Sequence, residues 1–211
     1  MRFFRKSAFA GMLFLCGCAA TMPYRAEDVP DEPIPESDRL SGRDLIYTTE
    51  TDDDRRISAG STSFTGSGLK LTTSVGVMAR EIALKVFSRA ASGGADESHD
   101  LAGASRYAIV VRPEIENFEY GFPHPKHLGL DVKPEIRMTL RITLLDETGR
   151  VLFEKDYDSG AVSGTHHLIV DKVVDRTDRL THEVIYDLMR RAVADVHMYQ
   201  KTEAAAAERS G

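Results

Sequence analysis

The chain has 211 residues, 42% of them hydrophobic and 28% charged, which is the composition of a globular protein and not of a disordered one. A formal net charge of −6 argues against a general nucleic-acid binder, and two cysteines, both in the first 18 residues, exclude a disulfide scaffold and a cysteine-based metal site. There is no run of about 18 apolar residues, so no membrane-spanning helix is expected.

Met1 to Lys6 carries Arg2, Arg5 and Lys6 and no acid, and Ser7 to Leu15 is apolar. These are the n-region and h-region of a secretory signal peptide, too short to span a bilayer stably. The stretch ends in Leu15-Cys16-Gly17-Cys18, which resembles the lipobox of bacterial lipoproteins. The resemblance implies cleavage before Cys18, a diacylglycerol thioether on Cys18, and a further acyl chain such as palmitate on the freed amine. Cys16 leaves with residues 1–17. Each buried methylene is worth roughly 0.8 kcal/mol, so two or more chains anchor a protein stably without a transmembrane helix. Ala19 stands where enteric bacteria read a sorting signal. A residue other than Asp there implies the outer membrane, with the domain facing the periplasm; the inner membrane and the cell surface are alternatives.

Residues 18–41 contain Pro23, Pro30, Pro33 and Pro35 among six acids, and are expected to form a flexible, solvated tether. Its reach would be on the order of 60 Å, enough to let the domain stand off the membrane. Asp44 to Thr51 predicts a weak strand. Asp52-Asp53-Asp54 is followed by Arg55-Arg56 and lacks the glycine and distal glutamate of a calcium loop, so it reads as a solvated turn. Ser58 to Gly68 reads as a loop. It is no phosphate-binding loop, because no Lys-Ser/Thr follows its second glycine.

Leu71 to Ala91 repeats apolar residues at three and four through Val75, Met78, Ala79, Ile82 and Val86, predicting a helix capped by Thr72 or Thr73 and ended by Gly93-Gly94. Gly76 falls near its start, where its helical cost of about 1 kcal/mol does least harm. Tyr107 to Phe122 is the clearest strand. Tyr107, Ile109, Val111 and Ile115 share one face; Phe118, Tyr120 and Phe122 then take the opposite parity, as across a β-bulge at Glu116-Asn117. Val132 to Leu144 alternates again. Asp146 to Gly149 is a hairpin turn, and Val151 to Tyr157 returns as the antiparallel partner, with Val151, Phe153 and Tyr157 on one face. Val170 to Tyr199 carries a second amphipathic helix, with Asp171 as its cap and Leu180, Val184, Leu188, Ala192 and Val196 in its stripe. Residues 201–211 are expected to be a disordered tail.

The order β-α-β-β-β-α predicts an α+β fold: a two-layer sandwich of a mainly antiparallel sheet with two helices on one face, formed by a single domain over residues 42–200.

Few residues suggest chemistry. His124 and His127 flank Lys126 in a loop, His166 and His167 are adjacent and point apart, and His182 and His197 are on the last helix; no His-Glu-x-x-His pattern exists, and no metal or other cofactor is expected. Glu114, Glu116 and Glu119 read as the wet face of a strand. Ser163-Gly164-Thr165-His166 places a hydroxyl near an imidazole, but neighbours in sequence rarely form a triad. No catalytic residue is assigned.

The lipobox, the acidic segment and the order of elements together resemble small envelope lipoproteins of the YajG and LptE type, a group with flagellar and transport-auxiliary members. That likeness is one of architecture over roughly residues 40–199, and fold likeness alone implies no activity. It implies a non-enzymatic binding or assembly module, held to the membrane by its lipid, partnered by another envelope protein or by itself and not by nucleic acid. The alternative is a periplasmic hydrolase acting on cell-envelope material. A deep pocket with convergent His and Glu would favour the enzyme; an exposed strand edge or apolar patch would favour the binder. Phe118, Tyr120 and Phe122, with the loop to Leu130, are the candidate partner surface if the bulge turns these rings outward.

Overall fold

The computed structural model describes residues 18–124, 126, 131–168 and 172–210. The expected signal peptide, His127, the rest of the loop to Leu130, and the expected cap Asp171 lie outside the described residues. In chain order the elements are β1 (Cys18–Met22), β2 (Asp44–Tyr47), α1 (Glu50–Asp53), β3 (Ile57–Gly60), β4 (Leu69–Thr73), α2 (Val75–Ala90), β5 (Ala95–Ser98), β6 (Ile109–Gly121), β7 (Asp131–Val132), β8 (Glu135–Leu145), β9 (Val151–Asp158), β10 (Val162–Ser163), β11 (His167–Leu168) and α3 (Val173–Ser210).

The fold is α+β. Its main sheet runs β10-β8-β6-β2-β5, with β9 also paired to β8. β8 is antiparallel to β6, β9 and β10, but β2 is parallel to both β5 and β6. The sheet is therefore mixed, where a mainly antiparallel one was expected. The chain leaves β2 and returns in β5 by way of α2, and a helical crossover of that kind brings a strand back parallel. A second sheet, β1-β4-β3, and a two-strand pair, β11-β7, fall outside the expected order. β3 and β5 read Ile-Ser-Ala-Gly and Ala-Asp-Glu-Ser, with too little apolar alternation to announce a strand.

α2 forms where its periodicity places it, and buries Val75, Met78, Ala79, Ile82, Ala83, Val86, Phe87 and Ala90. Its N-cap is Ser74; Thr72 and Thr73 belong to β4, where they pair with β3. Gly76 is not merely tolerated there. A Cβ on it would stand 1.8 Å from the Asp52 carbonyl oxygen, so only glycine lets α1 pack so close. α1 itself is built by a capping box: Thr49 Oγ1 accepts the Asp52 N–H at 3.1 Å and Asp52 Oδ2 accepts the Thr49 N–H at 2.9 Å. The Asp52–Asp54 stretch is thus no solvated turn. Asp52 also takes Arg112 at 2.9 Å, and Asp53 pairs with Arg80.

The β6–β8 register shifts between Ile115 and Asn117, at the expected change of phase. In the Asp146–Gly149 turn, Gly149 has φ +86, and Asp146 Oδ1 accepts the main-chain N–H groups of Thr148 and Arg150 at 2.9 and 3.0 Å. Those bonds and the one from the Thr148 hydroxyl hold the Asp146 carboxyl well below the usual carboxylate range. A second bulge, at Leu144/Leu145, was not expected. It sets Val151 opposite Leu145, so Val151 leaves the face shared by Phe153 and Tyr157 and is 53% exposed.

α2 packs on β2, β5 and β6, α3 packs on β8 and β9, and the two helices touch each other. α3 buries Leu180, Val184, Leu188, Ala192 and Val196 as its stripe predicts. It continues to Ser210, where a disordered tail was expected. Residues 201–206 are exposed, and the strong helix formers Glu203 and Ala204 to Ala207 carry the helix on.

Candidate functional site

Cys18, the expected lipid-attachment residue, opens β1, and β1 lies parallel to β4 with Cys18 opposite Leu69. Its side chain and the rest of the lipobox are outside the described residues. The segment from Ala19 to Ser41 is not the expected solvated tether. Met22, Val29, Ile34 and Leu40 are buried in the main core, and polar clamps from both long helices hold the strap between them. Lys85 Nζ donates to the Val29 carbonyl at 2.9 Å, Tyr186 Oη donates to the Glu32 carbonyl at 2.9 Å, and Arg179 pairs with Asp28 at 3.1 Å. The prolines stiffen this path without freeing it: beyond β1 its main chain is held by short turns at Arg25–Val29 and Pro35–Arg39, by main-chain bonds of Leu40 with Ala90 and Ser92, and by side chains of α2 and α3.

The centre of the strap is His182, wholly buried on α3. Its Nε2 accepts the Arg25 main-chain N–H at 2.9 Å and its Nδ1 donates to the Asp178 carbonyl at 2.9 Å. Burial lowers its pKa and keeps the ring neutral. Asp28, Asp178 and His182 bring three potential metal-ligand atoms within 4.8 Å of one another. They do not fit a cation: both imidazole nitrogens are engaged, and Arg25 Nε stands 3.3 Å from Asp178 Oδ2. Burial, against the pull of Arg25, raises the Asp178 carboxyl to about 7. The cluster is a fastening for the strap.

Phe118, Tyr120 and Phe122 do not form a partner surface. They are 2%, 1% and 2% exposed and belong to the main core. The extra residue at the bulge restores the inward face, so Phe118 stacks on Tyr120 at a centroid distance of 6.2 Å and Tyr120 meets Phe122 edge-to-face at 6.0 Å. Tyr120 Oη reaches the Leu69 carbonyl at 2.5 Å, which ties the main sheet to β4.

The other candidates are dispersed. His124 is an exposed loop residue, and His166 Nδ1 stands 3.5 Å from Asp131 Oδ1. Ser163 lies in β10 opposite Glu135. Glu114 and Glu116 sit on the sheet face away from the core, in a ladder of ion pairs: Arg55 to Glu114 at 2.5 Å, Arg141 to Glu116 at 3.1 Å and Arg141 to Asp156 at 2.8 Å. Two features escaped sequence reasoning. His99 Nδ1 donates to the Thr48 carbonyl at 2.9 Å. Asp44 is wholly buried with both carboxylate oxygens unbonded, and burial raises it to about 8. An acid at a strand start reads as a wet-face residue, so the sequence carried no signal for it.

The surface offers open depressions and a strand edge. One depression of about 590 Å³ lies between α3 and the β9–β10 link and is lined by Asp187, Arg190, Arg191 and Val184. The Ser159 hydroxyl in its lining donates to the Gly160 carbonyl at 2.8 Å and accepts the Met138 N–H at 3.0 Å. Among the described residues, no strand pairs with the outer edge of β9, and exposed Val151 and Leu152 begin it.

No family model matches the chain, and no curated protein sequence matches it. Solved structures do. A Xanthomonas campestris protein of family DUF330 is similar with a TM-score of 0.56 at 11% identity, over 88% of this chain and 99% of that one. A Helicobacter pylori homologue of neuraminyllactose-binding hemagglutinin gives 0.46 at 10%, over 82% and 92%. A minor lipoprotein of Acinetobacter baumannii gives 0.38 at 12%, over 75% and 94%. At such identities the likeness to the Xanthomonas protein concerns the fold.

Proposed function

We propose that the protein is a lipid-anchored component of the bacterial envelope, attached through Cys18 to the outer membrane and facing the periplasm, and that it works as a non-catalytic binding or assembly module. Leu15-Cys16-Gly17-Cys18 behind the basic Arg2, Arg5 and Lys6 supports the anchor. The unpaired outer edge of β9 is the observation that carries the module reading, because an open edge gives main-chain hydrogen bonds to an incoming extended segment.

Metabolic labelling with a fatty acid tests the anchor. Cys18→Ala is expected to lose the label and accumulate as precursor, while Cys16→Ala keeps it; label retained by the Cys18 variant refutes the assignment. A photo-crosslinker at Leu152, on the β9 edge, tests the module. A discrete adduct that is absent with the crosslinker at exposed Lys201 on α3 is expected. Equal, diffuse labelling from both positions refutes the edge as a binding site.

A further inference from the structure

We propose that the loop Ser61–Gly68 rests in the membrane interface beside the anchor, with Phe64 entering the boundary between headgroups and acyl chains. This rests on the acylation of Cys18 proposed above. No slack separates that residue from the body: β1 begins at Cys18 itself, opposite Leu69, at the usual strand spacing of about 4.8 Å. The lipid therefore emerges where β4 starts. β3 ends at the same place, with Gly60 opposite Lys70, and the loop joining the two strands caps this end of the sheet.

The loop suits an interface. Ser61-Thr62-Ser63-Phe64-Thr65-Gly66-Ser67-Gly68 contains no charge, so entering a less polar layer incurs no ionic desolvation. The Ser61 and Ser63 hydroxyls donate to the Thr65 carbonyl at 3.0 and 2.8 Å, so this carbonyl and both hydroxyls are paired within the loop. Phe64 at its tip is 96% exposed, well above Met198, Val151 and Leu152. It is held out by a fixed frame. The Thr62 N–H donates to the Tyr120 carbonyl at 2.8 Å, the Phe122 N–H donates to Ser63 Oγ at 2.7 Å, and turns close from Ser67 to Phe64 and from Leu69 to Gly66. Phe64 lies five residues before Leu69, at most about 18 Å of chain from it. Exposed Lys70, opposite Ala19 in β1, is placed to meet lipid phosphates.

The chain has no tryptophan, so a Phe64→Trp variant carries a single reporter. The full-length lipidated variant is reconstituted into phosphatidylethanolamine–phosphatidylglycerol vesicles with and without brominated acyl chains, alongside Met198→Trp on α3, and fatty-acid label is read on both. The expected result is label on both proteins, with blue-shifted emission and strong quenching by brominated lipid for Phe64→Trp and neither for Met198→Trp. Label with water-like, unquenched emission from Phe64→Trp overturns the loop placement and leaves the anchor standing. Equal quenching of both reporters also overturns it, because the body would then lie flat on the bilayer. Absence of label overturns the anchor and this inference with it.

Discussion

Residues 18–41 and the inner face of the main sheet reach the same core by different means. On the sheet, β8 buries every second residue from Ile136 to Leu144; all five are paired with β6 on one side, and Leu140, Ile142 and Leu144 with β9 on the other. On the strap, Met22, Val29, Ile34 and Leu40 enter at uneven intervals, and side chains of α2 and α3 supply much of the bonding. A regular face loses stability globally when cut. A strap held by separate clamps can open clamp by clamp while the body stays folded.

Cutting the regular face is expected to have the largest effect. Phe118→Ala removes a ring packed on Tyr120 in the closed core and should cost about 3–5 kcal/mol in denaturant unfolding, with no local opening beforehand. A near-wild-type melt would mean that the ring is not core.

Asp44 sharpens the contrast through pH. Its folded pKa is raised to about 8 from an ordinary 3.8, so its contribution is complete below about pH 4 and is lost as pH rises towards 8. A wholly buried group in that window changes stability by about 1.4 kcal/mol per pH unit, or roughly 3–5 °C. Asp44→Asn is expected to flatten the decline in melting temperature between pH 5 and 7; an unchanged slope would place the titration elsewhere.

Opening the strap should cost less and read out locally. His182→Ala strands the Arg25 main-chain N–H and should cost about 1–3 kcal/mol. Hydrogen exchange is expected to rise in residues 22–40 while β6 and β8 keep their protection. Uniform loss of protection would show that strap and sheet unfold as one. Smallest of all, Arg141→Ala breaks pairs with Glu116 and Asp156 on the outer face and should leave the thermal melt nearly unchanged, with any small loss vanishing as salt is raised.

The same contrast explains what could be read in advance. α2, β6, β8, β9 and α3 carry strict periods, and the phase change at Glu116-Asn117 marked the bulge itself. Which way the bulge turned Phe118 could not be read, because two parities of one strand are equally apolar there and only the β8 register decides. The strap was misread for a physical reason: prolines and acids report a chain without local structure, and they say nothing of Lys85, Arg179, His182 and Tyr186, which wait for it far along the sequence. Likewise Gly76 reads as a weak helix residue until the Asp52 carbonyl is set against it. At the candidate site, the proposal for Cys18 rests on its sequence neighbours alone, whereas Phe64 gains interest only once β1 is paired beside β4.

The outer strand of the main sheet also decides which neighbours it refuses. Two copies meeting β9 to β9 about a twofold axis must keep like side chains on like faces, so a pairing that uses the full strand centres on Glu154 or on Lys155. The first sets Glu154 against Glu154. The second sets Lys155 against Lys155 and Glu154 against Asp156. Like charges directly opposed oppose the pairing. If the anchor proposed above holds the protein in a membrane plane, where it meets its own copies often, such an edge disfavours pairing with them and leaves its hydrogen bonds open to a strand of other composition.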